Sequence, residues 1–209
     1  MRIVIICFLL LIISCQQPEE ITQWPYGVNY EVFVRSYADS NGDGIGDFNG
    51  LTDKLDYLKD LGVGGIWLMP IMPSPTYHKY DVVDYKAVDP EYGTEEDFKK
   101  LVAEAHKRDI KILVDLILNH SGSDHPWFQA AITDKNSPYR DYYVWAKKDS
   151  IRAQLSKKTI SLDSDNLTQW HPVKGDTLDE HYYGFFWGGM PDLNFDNPKV
   201  KAEFVEIGK

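Results

Sequence analysis

The chain has 209 residues, with 22 basic and 32 acidic side chains and a formal charge of −10. No Lys/Arg cluster is large enough to overcome that acidic background, which argues against a nucleic-acid groove. With 13 Tyr, 9 Phe and 6 Trp, aromatic faces beside carboxylates suit sugar rings, whose C–H faces stack while their hydroxyls need hydrogen bonds.

Met1-Arg2 is a short basic start, and Ile3 to Ile13 is an unbroken apolar run before Ser14-Cys15. The run is shorter than the roughly 20 residues a bilayer span requires, and it has the length of a signal-peptide core. Ile12-Ile13-Ser14-Cys15, a small residue directly before cysteine, resembles the bacterial lipoprotein signal, which implies that residues 1–14 are the signal and that Cys15 becomes the lipidated amino terminus. An ordinary secretory signal cut slightly later is the alternative. Residues 15–23 are polar and without periodicity, as a tether would be. Gln16 is not the aspartate that retains lipoproteins at the bacterial inner membrane, so outer-membrane or surface display is expected. Cys7 leaves with the signal and Cys15 is acylated, which leaves no thiol for a disulfide.

Val28 to Val34 reads as a first strand. After it, Asp39, Asn41, Asp43 and Asp47 place side-chain oxygens at intervals around Gly44, and the Ile45 carbonyl adds another. This is the pattern of a calcium loop. Gly50 stands where an EF-hand would carry its bidentate Glu. The other reading is an Asx-rich turn closed by side-chain-to-backbone hydrogen bonds. Leu51, Leu55, Leu58 and Leu61 recur at helical spacing, and Gly62 is a plausible stop. Gly65 to Met69 is a second strand, followed by the aromatic segment Tyr77-His78-Lys79-Tyr80-Asp81. Thr94 and Asp97 form a near-capping box. The helix it opens carries Phe98, Leu101, Val102 and Ala105 on one stripe.

Lys111 to Leu118 reads as a third strand, nearly all apolar, with Asp115 inside it and Asn119-His120 at its end. A buried Asp needs a partner. For Asp115 and His120 a structural role and a functional one are equally open. Continuous apolar strands joined by helices describe a parallel sheet, either a barrel or an open doubly wound sheet. The glycines after the first strand are interleaved with acids that would repel phosphate, which counts against a nucleotide fold. From Ser121 to Gly189 the periodicity breaks. That stretch is far longer than a βα loop of about 2–6 residues, and it reads as an inserted subdomain at the active-site face. Asn197-Pro198 then opens a new helix with Val200 and Phe204 on one side.

Taken in order, Val28 to Tyr37, the Asp39–Asp47 loop, Gly65 to Pro70, Tyr80-Asp81, Asp115 to His120 and Met190 to Asn194 resemble glycoside hydrolase family thirteen, the α-amylase family. The resemblance covers residues 24–207. It implies an α/β fold, a partial (β/α)8 TIM barrel with a B-domain insertion after the third strand. Residues 24–120 would form the first part of the barrel, 121–189 the B domain, and 190–209 the resumed barrel. It further implies Ca2+ held by Asp39, Asn41, Asp43, the Ile45 carbonyl and Asp47. Tyr80 would stack on the sugar, His120 would hydrogen-bond it, and Asp115 would organise the strand end. Asn119 matches the position that binds a second calcium in many relatives. Lys79 stands where relatives often have Gly, and would narrow the cleft.

The family mechanism is retaining: an Asp attacks the anomeric carbon, a Glu protonates the leaving oxygen, and water resolves the glycosyl-enzyme. In relatives these groups and a third carboxylate follow the fourth, fifth and seventh strands, beyond Lys209. Asp115, Asp192, Asp196 and Glu203 match none of them. The implied parent acts on starch, maltodextrin or another α-glucan, and the 209 residues alone are expected to be inactive. An α-1,6-glucosidase or a trehalose-forming transglycosylase of the same fold is the near alternative. A non-catalytic, surface-tethered glucan-binding lipoprotein is the distant one.

Overall fold

The computed structural model describes residues 27–155, 169–173 and 179–209. The signal segment 1–14, the tether 15–23 and Cys15 lie outside the described residues. Among the described residues no helix is long and apolar enough to cross a membrane.

Three parallel strands lie side by side in chain order: β1 (Val28–Val32), β2 (Val63–Leu68) and β3 (Lys111–Val114). Tyr30 pairs with Ile66, and Ile66 with Ile112. Helix α1 (Phe48–Asp53) and helix α2 (Leu55–Asp60) connect β1 to β2, and α3 (Glu95–His106) connects β2 to β3. This alternation is a partial (β/α)8 barrel. The leucine stripe expected as one helix is two short helices meeting at Lys54. Leu51, Leu55 and Leu58 nevertheless reach one core with Ile66, Leu68 and Leu101, all fully buried. Burying each such side chain contributes about 1.5–3 kcal/mol.

The capping box of α3 forms as expected. Thr94 Oγ1 accepts from the Asp97 amide at 3.1 Å, and Asp97 Oδ2 accepts from the Thr94 amide at 2.9 Å. These bonds, the Thr94 hydroxyl's first, hold the Asp97 carboxyl down to about 2.

The third strand is shorter than its apolar run. It stops at Val114, and Asp115 to Leu118 continue without ladder pairing apart from the Asp115 amide, which donates to Leu68 O at 3.1 Å. The strands are also not covered on both faces. Trp67 is 44% exposed between the buried Ile66 and Leu68, because alternate side chains of a strand point to opposite faces and this one lies away from the helices.

Between the third strand and residue 190 lies a second, separate sheet. Its strands β4 (Trp145–Lys147), β5 (Trp170–Pro172) and β6 (Glu180–Tyr183) pair antiparallel in the order β4-β6-β5. Helix α4 (Pro126–Thr133) precedes it and α5 (Lys148–Leu155) lies within it. The sequence pattern did not announce α4. Its cap is His125, whose Nδ1 accepts from the Trp127 amide, in place of a usual Ser, Thr or Asp. The last helix, α6 (Pro198–Ile207), starts as read, with Asn197 Oδ1 accepting from the Lys199 amide at 3.0 Å.

Candidate active site

Parallel strands put their carboxyl ends on one side, and side chains on the loops that follow converge there. Tyr80 follows β2, and Asp115 and His120 follow β3. The three meet. Burial, then the charge of the nearby Asp115 carboxylate, raises the pKa of the Tyr80 hydroxyl. His120 is buried, with Nε2 3.1 Å from the Tyr80 carbonyl. A carbonyl only accepts, so Nε2 carries the proton and Nδ1 is left to accept from Asn119 Nδ2 at 3.3 Å. Burial lowers the His120 pKa, which favours this neutral ring. The Tyr85 hydroxyl donates to the His120 carbonyl at 2.6 Å. His120 thus holds the Tyr80 backbone.

Two contributors were not legible beforehand. The segment after the second sheet returns along the end of β3: the Leu193 amide donates to Asn119 O at 2.8 Å, and His120 bridges Asp192. Asp192 is buried, which raises its pKa, and its Oδ1 accepts from the Phe185 amide at 2.9 Å. Asn119 is tied to Leu193 through its carbonyl and to His120 through its side chain. The same segment presents Phe186, whose ring stands edge-on to His120 with centroids 5.2 Å apart. The signal for Asp192 lay in Met190 to Asn194, read for its family likeness alone; for Phe186 the sequence reading carried none.

Lys79 does not project into the opening. Its side chain is 4% exposed and pairs with Asp89 at 2.8 Å and Glu91 at 2.6 Å. Its backbone is left-handed, φ 64°, the conformation glycine adopts most readily.

The Asp39–Asp47 loop lies just beyond β1. Asp39 accepts from the Asn41, Gly42 and Gly44 amides, Asn41 from Asp43, and Asp43 from Ile45. Gly44 turns the chain with φ 89°. The Gly44 and Gly42 amides hold the Asp39 carboxyl below its usual range. Asp47 is buried and caps α1. Burial pushes its pKa up, but the Gly50 amide and Ser40 outweigh it. The Asp47 carboxylate oxygens accept from the Ser40 amide and hydroxyl and from the Gly50 amide. Among the described residues no three His, Cys, Asp or Glu side chains form a ready cluster. The loop offers carboxylates, an amide oxygen and the Ile45 carbonyl, an all-oxygen set that suits a hard cation. Gly50 cannot be the EF-hand glutamate because a Cβ there would overlap the Ala38 carbonyl.

The model of the α-amylase catalytic domain matches residues 31–209. The chain belongs to the α-amylase family. It is 50% identical over 180 residues to "Alpha-amylase 3" of Dictyoglomus thermophilum, covering 86% of this chain and 33% of that protein. It is 41% identical over 187 residues to "Oligo-1,6-glucosidase" of Parageobacillus thermoglucosidasius, covering 89% and 32%. The solved α-amylase of H. orenii superposes with a TM-score of 0.75 at 49% identity, covering 87% of this chain and 37% of that one. The chain spans about a third of the length of these relatives.

Proposed function

We propose that this chain forms the front of the catalytic domain of a retaining enzyme that acts on α-glucosidic bonds in starch, maltodextrin or related α-glucans. The observation that carries the reading is the meeting of Tyr80, Asp115 and His120 at the strand ends of an α-amylase-family barrel. Tyr80 offers its ring to a sugar face, with the Asp115 charge near its hydroxyl and His120 holding its backbone. His120, neutral and partly under Phe186, binds sugar hydroxyls and moves no proton. The nucleophile and the acid/base are assigned to no residue of this chain. Residues 24–120 and 190–209 are taken as barrel and 121–189 as the B domain.

Ca2+ is the cation proposed for Asp39, Asn41, Asp43, the Ile45 carbonyl and Asp47. Bound there, it would neutralise the carboxylates and brace the loop. A second calcium at Asn119 would have to compete with its side-chain bond to His120. Residues 1–14 as signal and Cys15 as lipid anchor make the protein an exported, membrane-tethered one. Loss of palmitate labelling in C15S would support that anchor, and unchanged labelling would refute it.

The test of activity is a chimera joining residues 24–209 to the remaining two-thirds of the Dictyoglomus relative. Reducing-sugar release from soluble starch, lost in Y80A, supports the reading. A folded chimera with neither hydrolysis nor glucosyl transfer would overturn it. Maltose-to-trehalose conversion without starch cleavage would favour the transglycosylase alternative.

A further inference from the structure

The run Phe185-Phe186-Trp187 presents three half-exposed rings in succession. Phe186 meets His120. Trp187 instead lines a cavity of about 640 Å³ on the second sheet, between α4 and β6. Such a volume lies in the range of small-molecule sites, about 300–1,000 Å³. Phe128 and Tyr182 form its apolar floor, and Ser123, Gln129 and Thr133 supply its polar wall.

Two features make this more than a surface tryptophan. The indole is held in place: a Cβ on Gly189 would overlap the ring at Cζ2 and Cη2, so only glycine lets it lie down there. Hydrogen-bonding capacity is also left over. Gln129 Nε2 donates to the Ser123 carbonyl at 2.7 Å, and among the described residues Gln129 Oε1 and Ser123 Oγ make no hydrogen bond to protein. A fixed aromatic face beside an unused amide oxygen and hydroxyl matches a pyranose ring, with its apolar C–H face and its rim of hydroxyls.

We infer that this cavity is a second sugar-binding subsite, with Trp187 as its platform, and that a longer α-glucan occupies it together with the Tyr80–His120 site. Adjacent residues serving the two sites place both on one strap of chain. The inference rests on the glucan reading above.

Titration calorimetry of the 209-residue chain with maltose and with maltoheptaose tests it. W187A and G189A are expected to weaken maltoheptaose binding about three- to tenfold, the range for one aromatic contact, and to leave maltose unchanged. W187F should recover part of the loss, and unchanged near-ultraviolet dichroism away from the Trp187 band checks that the variants fold. Wild-type maltoheptaose affinity in W187A and G189A, with binding lost in H120A, refutes the subsite and leaves the glucan reading standing. A wild-type chain that binds neither sugar refutes both.

Discussion

Replacing Lys79 by Met tests the buried ion pair behind Tyr80. Lys79 reaches Asp89 at 2.8 Å, with both side chains 4% exposed, and Glu91 at 2.6 Å, with 39% of that side chain exposed. The Glu91 arm is screened by solvent and counts for little. The Asp89 arm does not. Removing one partner of a buried pair costs about 3–5 kcal/mol, because the remaining charge stays desolvated. Asp89 keeps the Glu91 amide at 2.9 Å, so the lower end, about 3 kcal/mol, applies. With a urea slope of about 1–3 kcal/mol per molar, the midpoint falls by roughly 1–3 M. The K79M/D89N pair removes the stranded charge and should recover at least half of the loss. K79G should be milder than K79M by about 0.5–1 kcal/mol, since a left-handed residue other than glycine carries about 1–2 kcal/mol of strain, partly offset by glycine's entropy. The assay is equilibrium urea unfolding followed by tryptophan fluorescence. A K79M loss under about 1 kcal/mol, or a double variant no more stable than K79M, would refute the reasoning.

Other outcomes follow from the same geometry. Burial lowers His125 to about 4, against an ordinary value of about 6.5. The folded state thus favours the neutral ring, and its contribution is complete above the unfolded value and lost as pH falls. Between pH 7 and 4 the wild type should lose about 3 kcal/mol more than H125N, whose amide keeps the cap without titrating; parallel stability profiles would disprove this. T94A removes the cap of α3 and should cost about 1 kcal/mol in urea unfolding, with a loss below about 0.3 kcal/mol contradicting the capping role. Ca2+ at about a hundredfold above its Kd should add about 2.7 kcal/mol, raising Tm by roughly 5–11 °C. EGTA should reverse the gain and D43N abolish it, whereas a Tm indifferent to both would exclude the cation loop. On the proposed reading, which assigns the nucleophile and the acid/base to no residue of this chain, the 209 residues alone should release no sugar from soluble starch; reproducible turnover by the purified chain would overturn that.

The sequence by itself determined the local elements. The Thr94–Asp97 box, the Asn197-Pro198 start and the leucine stripe each draw on residues within a turn or two, and short-range hydrogen bonds and periodicity set them. The ordered motifs from Val28 to Asn194 were equally readable, and with them the family barrel. Tertiary structure decided the rest. That β3 ends at Val114 depends on where pairing with β2 stops, which the apolar run through Leu118 does not reveal. Lys79 turns inward because Asp89 and Glu91, on a distant part of the loop, wait there for its charge. Asp192 and Phe186 join His120 because the chain returns after some 70 residues to lie along β3, a long-range meeting that no local pattern encodes.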